Sequence, residues 1–293
     1  MDAVLVFPVS KQVEKAFRRV LAAVGEPWRL AKRGRKPKRS PKDYSLALFA
    51  RSFYGFSYRT ASAILGIPKS CLHWAFQRLQ QPWVQALVTN TCSRLERELQ
   101  SDSQVLGSTG VSLSANGFKR KALCDSFLKL HALTAYSRKH RAIWFVKAKV
   151  TTKHVHDVKP GMQFVQTTPL ASTLLGDKAY DSSGLYRLAF KRGLHVCMRQ
   201  RKNCEWNRGL RGRVYKQYDD WFYKSERGRV EAAFGGFANR YGSRVLEKKF
   251  ATQTLACLLW AVAHNIRTIA KALVNHLLDS LSKPLVFISA FSY

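Results

Sequence analysis

Hydrophobic periodicity first changes in this chain after Ser101, and that change decides which layers it can build. Upstream of it, apolar residues recur at helical spacing: Ala61, Ile64 and Leu65, then Leu72, Ala75, Phe76 and Leu79. Downstream, apolar and polar residues alternate. The alternation predicts strands over 104–113, 127–136 and 143–150, with polar turns at Ala115-Asn116-Gly117 and Ser137-Arg138-Lys139, hence an antiparallel meander. A helix over 160–166, a strand over 173–176, a helix over 182–191 and a strand over 194–198 follow. Such alternation implies parallel strands joined by crossover helices. The expected class is α/β: a mixed sheet of three antiparallel strands, then parallel strands with flanking helices, preceded by an all-α part.

The remaining segments set the domain limits. Residues 11–24 read as a helix and 82–101 as a connecting helix. Residues 200–220 are basic and without period, so they read as a loop. A helix is expected over 223–239, and a long final one over 252–278 carries Leu255, Leu258, Leu259, Val262, Ile266, Ile269 and Leu273 as its core stripe. The division that results is 1–42 for an N-terminal helix and basic arm, 43–81 for a helical trio, 82–101 for the connector, 102–278 for the α/β domain and 279–293 for a tail.

Charge points to the partner. Fifty Lys and Arg face 18 Asp and Glu, a formal net charge of +32. Solubility needs only a few units of charge, whereas a polyanion draws binding free energy from released counterions. Seven of the eleven residues over 32–42 are cationic, with two prolines and nothing to pack. That run reads as a flexible arm, with Arg33, Arg35, Lys36, Lys38 and Arg39 facing DNA. Arg33-Gly34-Arg35-Lys36-Pro37 resembles the core of an AT-hook; a generic phosphate-binding linker explains the same residues. Beyond the arm, Ser57 caps a helix, Gly66-Ile67-Pro68 ends it, and the next helix presents Lys69, Ser70, His73, Gln77 and Arg78 opposite its apolar stripe. This is the helix-turn-helix pattern, with an ordinary helical hairpin as the plain alternative.

Six scattered cysteines without CxxC spacing read as small hydrophobes of a reducing cytosol. No charge-free apolar stretch reaches 18 residues, so no membrane partner is expected, and the protein is expected in the cytoplasm, associated with the nucleoid.

Three motifs in this order resemble the insertion-sequence transposases of the DDE type, in bacteria and archaea. Leu175-Gly176-Asp177-Lys178-Ala179-Tyr180-Asp181 is similar to the second-acid motif, where a strand delivers an Asp at its carboxyl end. Arg227-Gly228-Arg229-Val230-Glu231 is similar to the third-acid helix, with Arg and Glu one turn apart. Gly107-Ser108-Thr109 is similar to the first-acid strand, usually Asp-Ser-Thr. The resemblance spans roughly residues 44–275 and implies an RNase H-like catalytic domain, cleavage and transfer of double-stranded DNA at terminal inverted repeats, and a homodimer that pairs two ends. It also implies two Mg²⁺ (or Mn²⁺) ions, because phosphoryl transfer places charge on both attacking and leaving oxygens. Asp177 and Glu231 would each hold a metal, Arg227 would orient Glu231 or contact a phosphate, and Lys178 and Tyr180 would lie beside the scissile strand.

The chain departs from that pattern at the bridging acid, where Gly107 offers no ligand. Asp102 lies five residues earlier, about 16 Å away along a strand and on the opposite face. Asp125 and Asp157 read as loop residues. The expectation is therefore a DNA binder with impaired cleavage. A decayed or repurposed DNA-binding protein is the second reading, and an RNA-binding protein of ribosomal type, which leaves Asp177 and Glu231 unexplained, the third.

Overall fold

The computed structural model describes residues 11–30, 37–113, 127–168, 172–201, 208–241, 244–245 and 247–281. Arg33, Arg35, Lys36, Cys124, Asp125 and Cys204 lie outside the described residues, as do the turn at 115–117 and the tail beyond 281.

Five helices come first: α1 (Lys11–Val24), α2 (Pro41–Tyr54), α3 (Tyr58–Leu65), α4 (Lys69–Arg78) and α5 (Gln81–Leu99). Local chemistry sets their limits. Ser40 and Asp43 close a reciprocal capping box on α2, with Pro41 in its first turn. The Ser57 hydroxyl accepts from the Thr60 amide at the start of α3. Gly55 and Gly66 end α2 and α3 at φ +68° and +60°, the left-handed region that costs glycine least.

The sheet is built from β1 (Ser103–Leu113), β2 (Phe127–Ser137), β3 (Ala142–Thr152), β4 (Thr173–Gly176) and β5 (His195–Met198), in the order β3-β2-β1-β4-β5. β1 pairs antiparallel with β2, and β2 with β3; β4 runs parallel to both β1 and β5. The crossovers are α6 (Val158–Thr167) and α7 (Ser183–Lys191). This arrangement agrees with an RNase H-like sheet, as the alternation of apolar residues predicts.

Two elements differ from expectation. The segment read as a loop contains α8 (Gly209–Gln217), whose Gly212 and Val214 are buried. Its cationic sequence hides any period, and the helix exists because it packs on α7 and β5. After α9 (Asp220–Tyr241) a two-residue strand, β6 (Arg244–Val245), adds parallel to the far end of β1.

The chain closes with α10 (Phe250–Leu281). Its stretch Phe250–Val274 is long and apolar enough to cross a membrane, but 67% of its most apolar window is buried inside the protein. It packs on α5 and β3 and touches α1 and α2. One apolar core runs without a break from Phe17 of α1 through Phe49 and Leu87 to Trp144 and Ile266. The helical trio and the sheet therefore share a core.

Candidate active site

The carboxyl ends of β4 and β5 lie level with the middle of β1, in a sheet that packs one face against α9. Leu106 of β1 is the register partner of Gly176 on β4, and Gly176 is the partner of Met198 on β5. The next residues along each strand are Gly107, Asp177 and Arg199. They form a row across the sheet at the strand spacing of about 4.8 Å. Side chains two residues earlier, Val105, Leu175 and Cys197, pack together with Tyr223 of α9. Because strand side chains alternate with period two, Gly107, Asp177 and Arg199 all belong to the α9 side of the sheet.

Asp177 is half-buried and begins the 3-10 turn Lys178–Tyr180, where its Oδ1 accepts from the Ala179 amide at 2.8 Å. That bond orients the carboxylate at the strand end. On α9, residues four apart stack along one face. The Arg227 Nη1 donates to the Tyr223 hydroxyl at 3.3 Å, and its Nη2 lies 2.9 Å from Oε1 of Glu231. Partial burial works against the Arg227 charge, but Tyr223, Glu231 and Asp177 outweigh it and raise its pKa. Burial also raises the Tyr223 phenol, and the nearby Arg227 partly offsets this. Arg227 thus stands within electrostatic reach of both acids. The Glu231 side chain is 63% exposed.

Glu226, five residues before Glu231, anchors the helix. It is 1% exposed; its Oε2 accepts from the Ser103 hydroxyl at 2.8 Å and its Oε1 from Arg138 Nε at 3.2 Å. Neither Glu226 nor Arg199 is singled out by motif. Arg199 becomes visible only when strand register is carried one residue past β5, whereas a buried acid on the sheet face of α9 gives no sequence signal at all.

Other expected residues fall elsewhere. Asp102 lies at the opposite end of β1, where its Oδ2 accepts from the Arg138 amide at 2.6 Å. Tyr180 is not beside a DNA strand: it is 1% exposed, and its ring lies within 3 Å of where a Cβ on Gly161 of α6 would stand. The short turn after Asp177 carries it to the other sheet face. Lys178 is exposed beside Asp177.

Asp157 also belongs to the α6 face. It sits 3.1 Å from Lys129 Nζ and 3.1 Å from Nδ1 of the fully buried His131, whose Nε2 meets the Thr151 hydroxyl at 2.8 Å. Burial alone would raise the Asp157 carboxyl, but bonds from His131 and Lys129 outweigh it and hold it well below the usual carboxylate range. A depressed folded-state pKa adds stability above the unfolded value near pH 4 and loses it as the pH falls further. Asp157→Asn is thus expected to cost about 3 kcal/mol at neutral pH, with the gap to wild type closing below about pH 4 in urea titrations.

The candidate site thus consists of Asp177 at the end of β4 and the Arg227–Glu231 pair on α9, set on a mixed sheet of RNase H-like order. Residues 102–266 match the transposase DDE domain, and the chain belongs to that family. Proteins of this family act on DNA and generally use divalent metal ions. No curated protein matches the chain. Among solved structures, a piggyBac transposase synaptic complex with hairpin DNA aligns over 93% of this chain and 74% of that one, at 9% identity and a TM-score of 0.49.

The donor set does not fit a two-metal centre. Gly107 supplies no oxygen at the bridging position, and Glu231 is paired with Arg227. Among the described residues, no group of three His, Cys, Asp or Glu side chains could hold a metal.

Proposed function

We propose that this chain is a transposase-like protein that binds the terminal inverted repeats of a mobile element and is impaired in cutting them. The observation that supports this reading is Gly107, which offers no carboxylate and lies one residue beyond the Leu106–Gly176 register pair, so level with Asp177. Asp177 and Glu231 remain as the family's second and third acids. Without the first, Mg²⁺ or Mn²⁺ would bind weakly and in poor geometry, and in-line attack depends on sub-ångström positioning.

Recognition falls to the α3–α4 pair, read as a helix-turn-helix. Lys69, Ser70, His73, Gln77 and Arg78 are all exposed on α4, while Leu72, Ala75 and Phe76 are buried beneath it. Hydrogen-bonding side chains on the outer face of such a helix suit base edges in the major groove. The Arg78 guanidinium stacks 3.9 Å from the Trp74 ring, which leaves its edge available to a phosphate. Lys38 and the arm before it add sequence-independent contacts. Pairing of two ends calls for a homodimer.

The test combines gel-shift binding to terminal-repeat duplex with a Mg²⁺- or Mn²⁺-dependent nicking assay. Wild type is expected to bind without nicking, and Gly107→Asp to gain nicking at least tenfold above background. Robust nicking by wild type would overturn the impairment. An inert Gly107→Asp that binds DNA normally would overturn Gly107 as its cause and favour a repurposed repeat-binding protein.

A further inference from the structure

The residues around Asp177 are arranged for a different occupant than metal. Three cations, Lys178, Arg199 and Arg227, share this region with two carboxylates, Asp177 and Glu231. Asp220, at the start of α9, is matched by Lys224 at 2.6 Å and also lies in the field of Arg199. Arg227 is committed to Tyr223 and Glu231. The Lys178 and Arg199 side chains, by contrast, are exposed and make no hydrogen bond or ion pair among the described residues. They flank Asp177 directly: Lys178 follows it in the chain, and Arg199 is the next position across the sheet from it.

Electrostatics then decides what such a site can take. Two bare carboxylates would repel a phosphate, but a guanidinium paired with Glu231 and in the field of Asp177 offsets part of that repulsion. A divalent ion would have to displace Arg227 from Glu231 and shed part of a tightly held water shell, with no bridging oxygen at Gly107 in return. A phosphodiester needs none of this, since two exposed cations at the positions next to Asp177 supply donors and charge.

Resting on the DNA-binding reading above, we propose that the ends of β4 and β5, beside the middle of β1, form a metal-independent seat for a DNA phosphodiester. Lys178 and Arg199 take the phosphate oxygens, and Arg227 keeps Asp177 and Glu231 neutralised. The site therefore grips DNA where its relatives would cut it.

The experiment is fluorescence anisotropy of the full chain on a labelled terminal-repeat duplex, in EDTA and in millimolar Mg²⁺, over a range of salt. Affinity is expected to be the same with and without metal. The Lys178→Ala/Arg199→Ala double variant, both changes being on exposed side chains, is expected to bind about tenfold more weakly and to lower the slope of log K against log salt by about two. Lys139→Ala, in the β2–β3 turn at the far end of the sheet, should leave that slope unchanged. Electron paramagnetic resonance of added Mn²⁺ should show the free-ion signal undiminished by wild type and reduced by Gly107→Asp. Stoichiometric Mn²⁺ uptake by wild type, Mg²⁺-dependent DNA binding, or an unchanged slope in the double variant would each overturn the seat while leaving DNA binding intact. Failure of wild type to bind any duplex would overturn the DNA-binding reading itself.

Discussion

Asn265→Ala is expected to lower stability by about 4 kcal/mol, because one side-chain amide completes a strand that has no neighbour there. β3 is an edge strand of the sheet, and its pairing with β2 slips by one residue between Leu133 and Thr134. At that irregularity the backbone of Phe145 turns to α10. Its N–H donates to Asn265 Oδ1 at 2.8 Å, and its C=O accepts from Asn265 Nδ2 at 2.8 Å. The same Nδ2 donates to Thr91 Oγ1 at 3.0 Å, so α5, β3 and α10 meet at one fully buried amide. Alanine would leave two backbone groups unpaired in the core, and the thermal midpoint should fall by roughly 10 °C. Asn265→Asp separates the two bonds: a carboxylate still accepts from the N–H but faces the C=O with no donor. A loss as large as that of alanine is expected by calorimetry. A fall below 1 kcal/mol in either variant would mean that the amide does not complete the strand.

Arg51→Ala should have a comparable effect through charge. Arg51 of α2 donates to Glu247, just before α10, at 3.0 Å, and both side chains are less than 10% exposed. Its guanidinium also lies 3.8 Å from the Tyr58 ring centroid and 5.8 Å from that of Phe76. Removing it strands a buried carboxylate, which costs about 4 kcal/mol. The Arg51→Met/Glu247→Leu double variant replaces both charges by apolar volume and is expected to recover most of that loss. Denaturant unfolding of the single and double variants checks the expectation; a double variant no better than Arg51→Ala would show that the ring contacts carry the stability.

Much of the sheet is legible because its strands are apolar runs bounded by polar turns, although β2, β4 and β5 are buried almost throughout rather than at alternate residues. The strand 173–176 is a short continuous apolar run, and its position between two helical stretches fixes the order of crossovers. α8 was hidden for the opposite reason: Arg211, Arg213 and Lys216 mask a helix that buries little more than Gly212 and Val214. The site was legible where a motif names its residues, as at Asp177 and Glu231. Arg199 was not, since its place depends on a register shared by three strands far apart in sequence. Tyr180 misled because nearness in sequence to Asp177 is not nearness in space; one tight turn put it through to the other face.

The unbroken core has a consequence for how such a chain can change. Where recognition and catalytic units are joined by a loose tether, each can be exchanged, trimmed or inherited separately. Here α10 covers the sheet and the N-terminal helices with the same apolar residues, so a fragment lacking α1–α5 would expose them to water. The helical part therefore cannot be inherited without the sheet, which serves as its foundation.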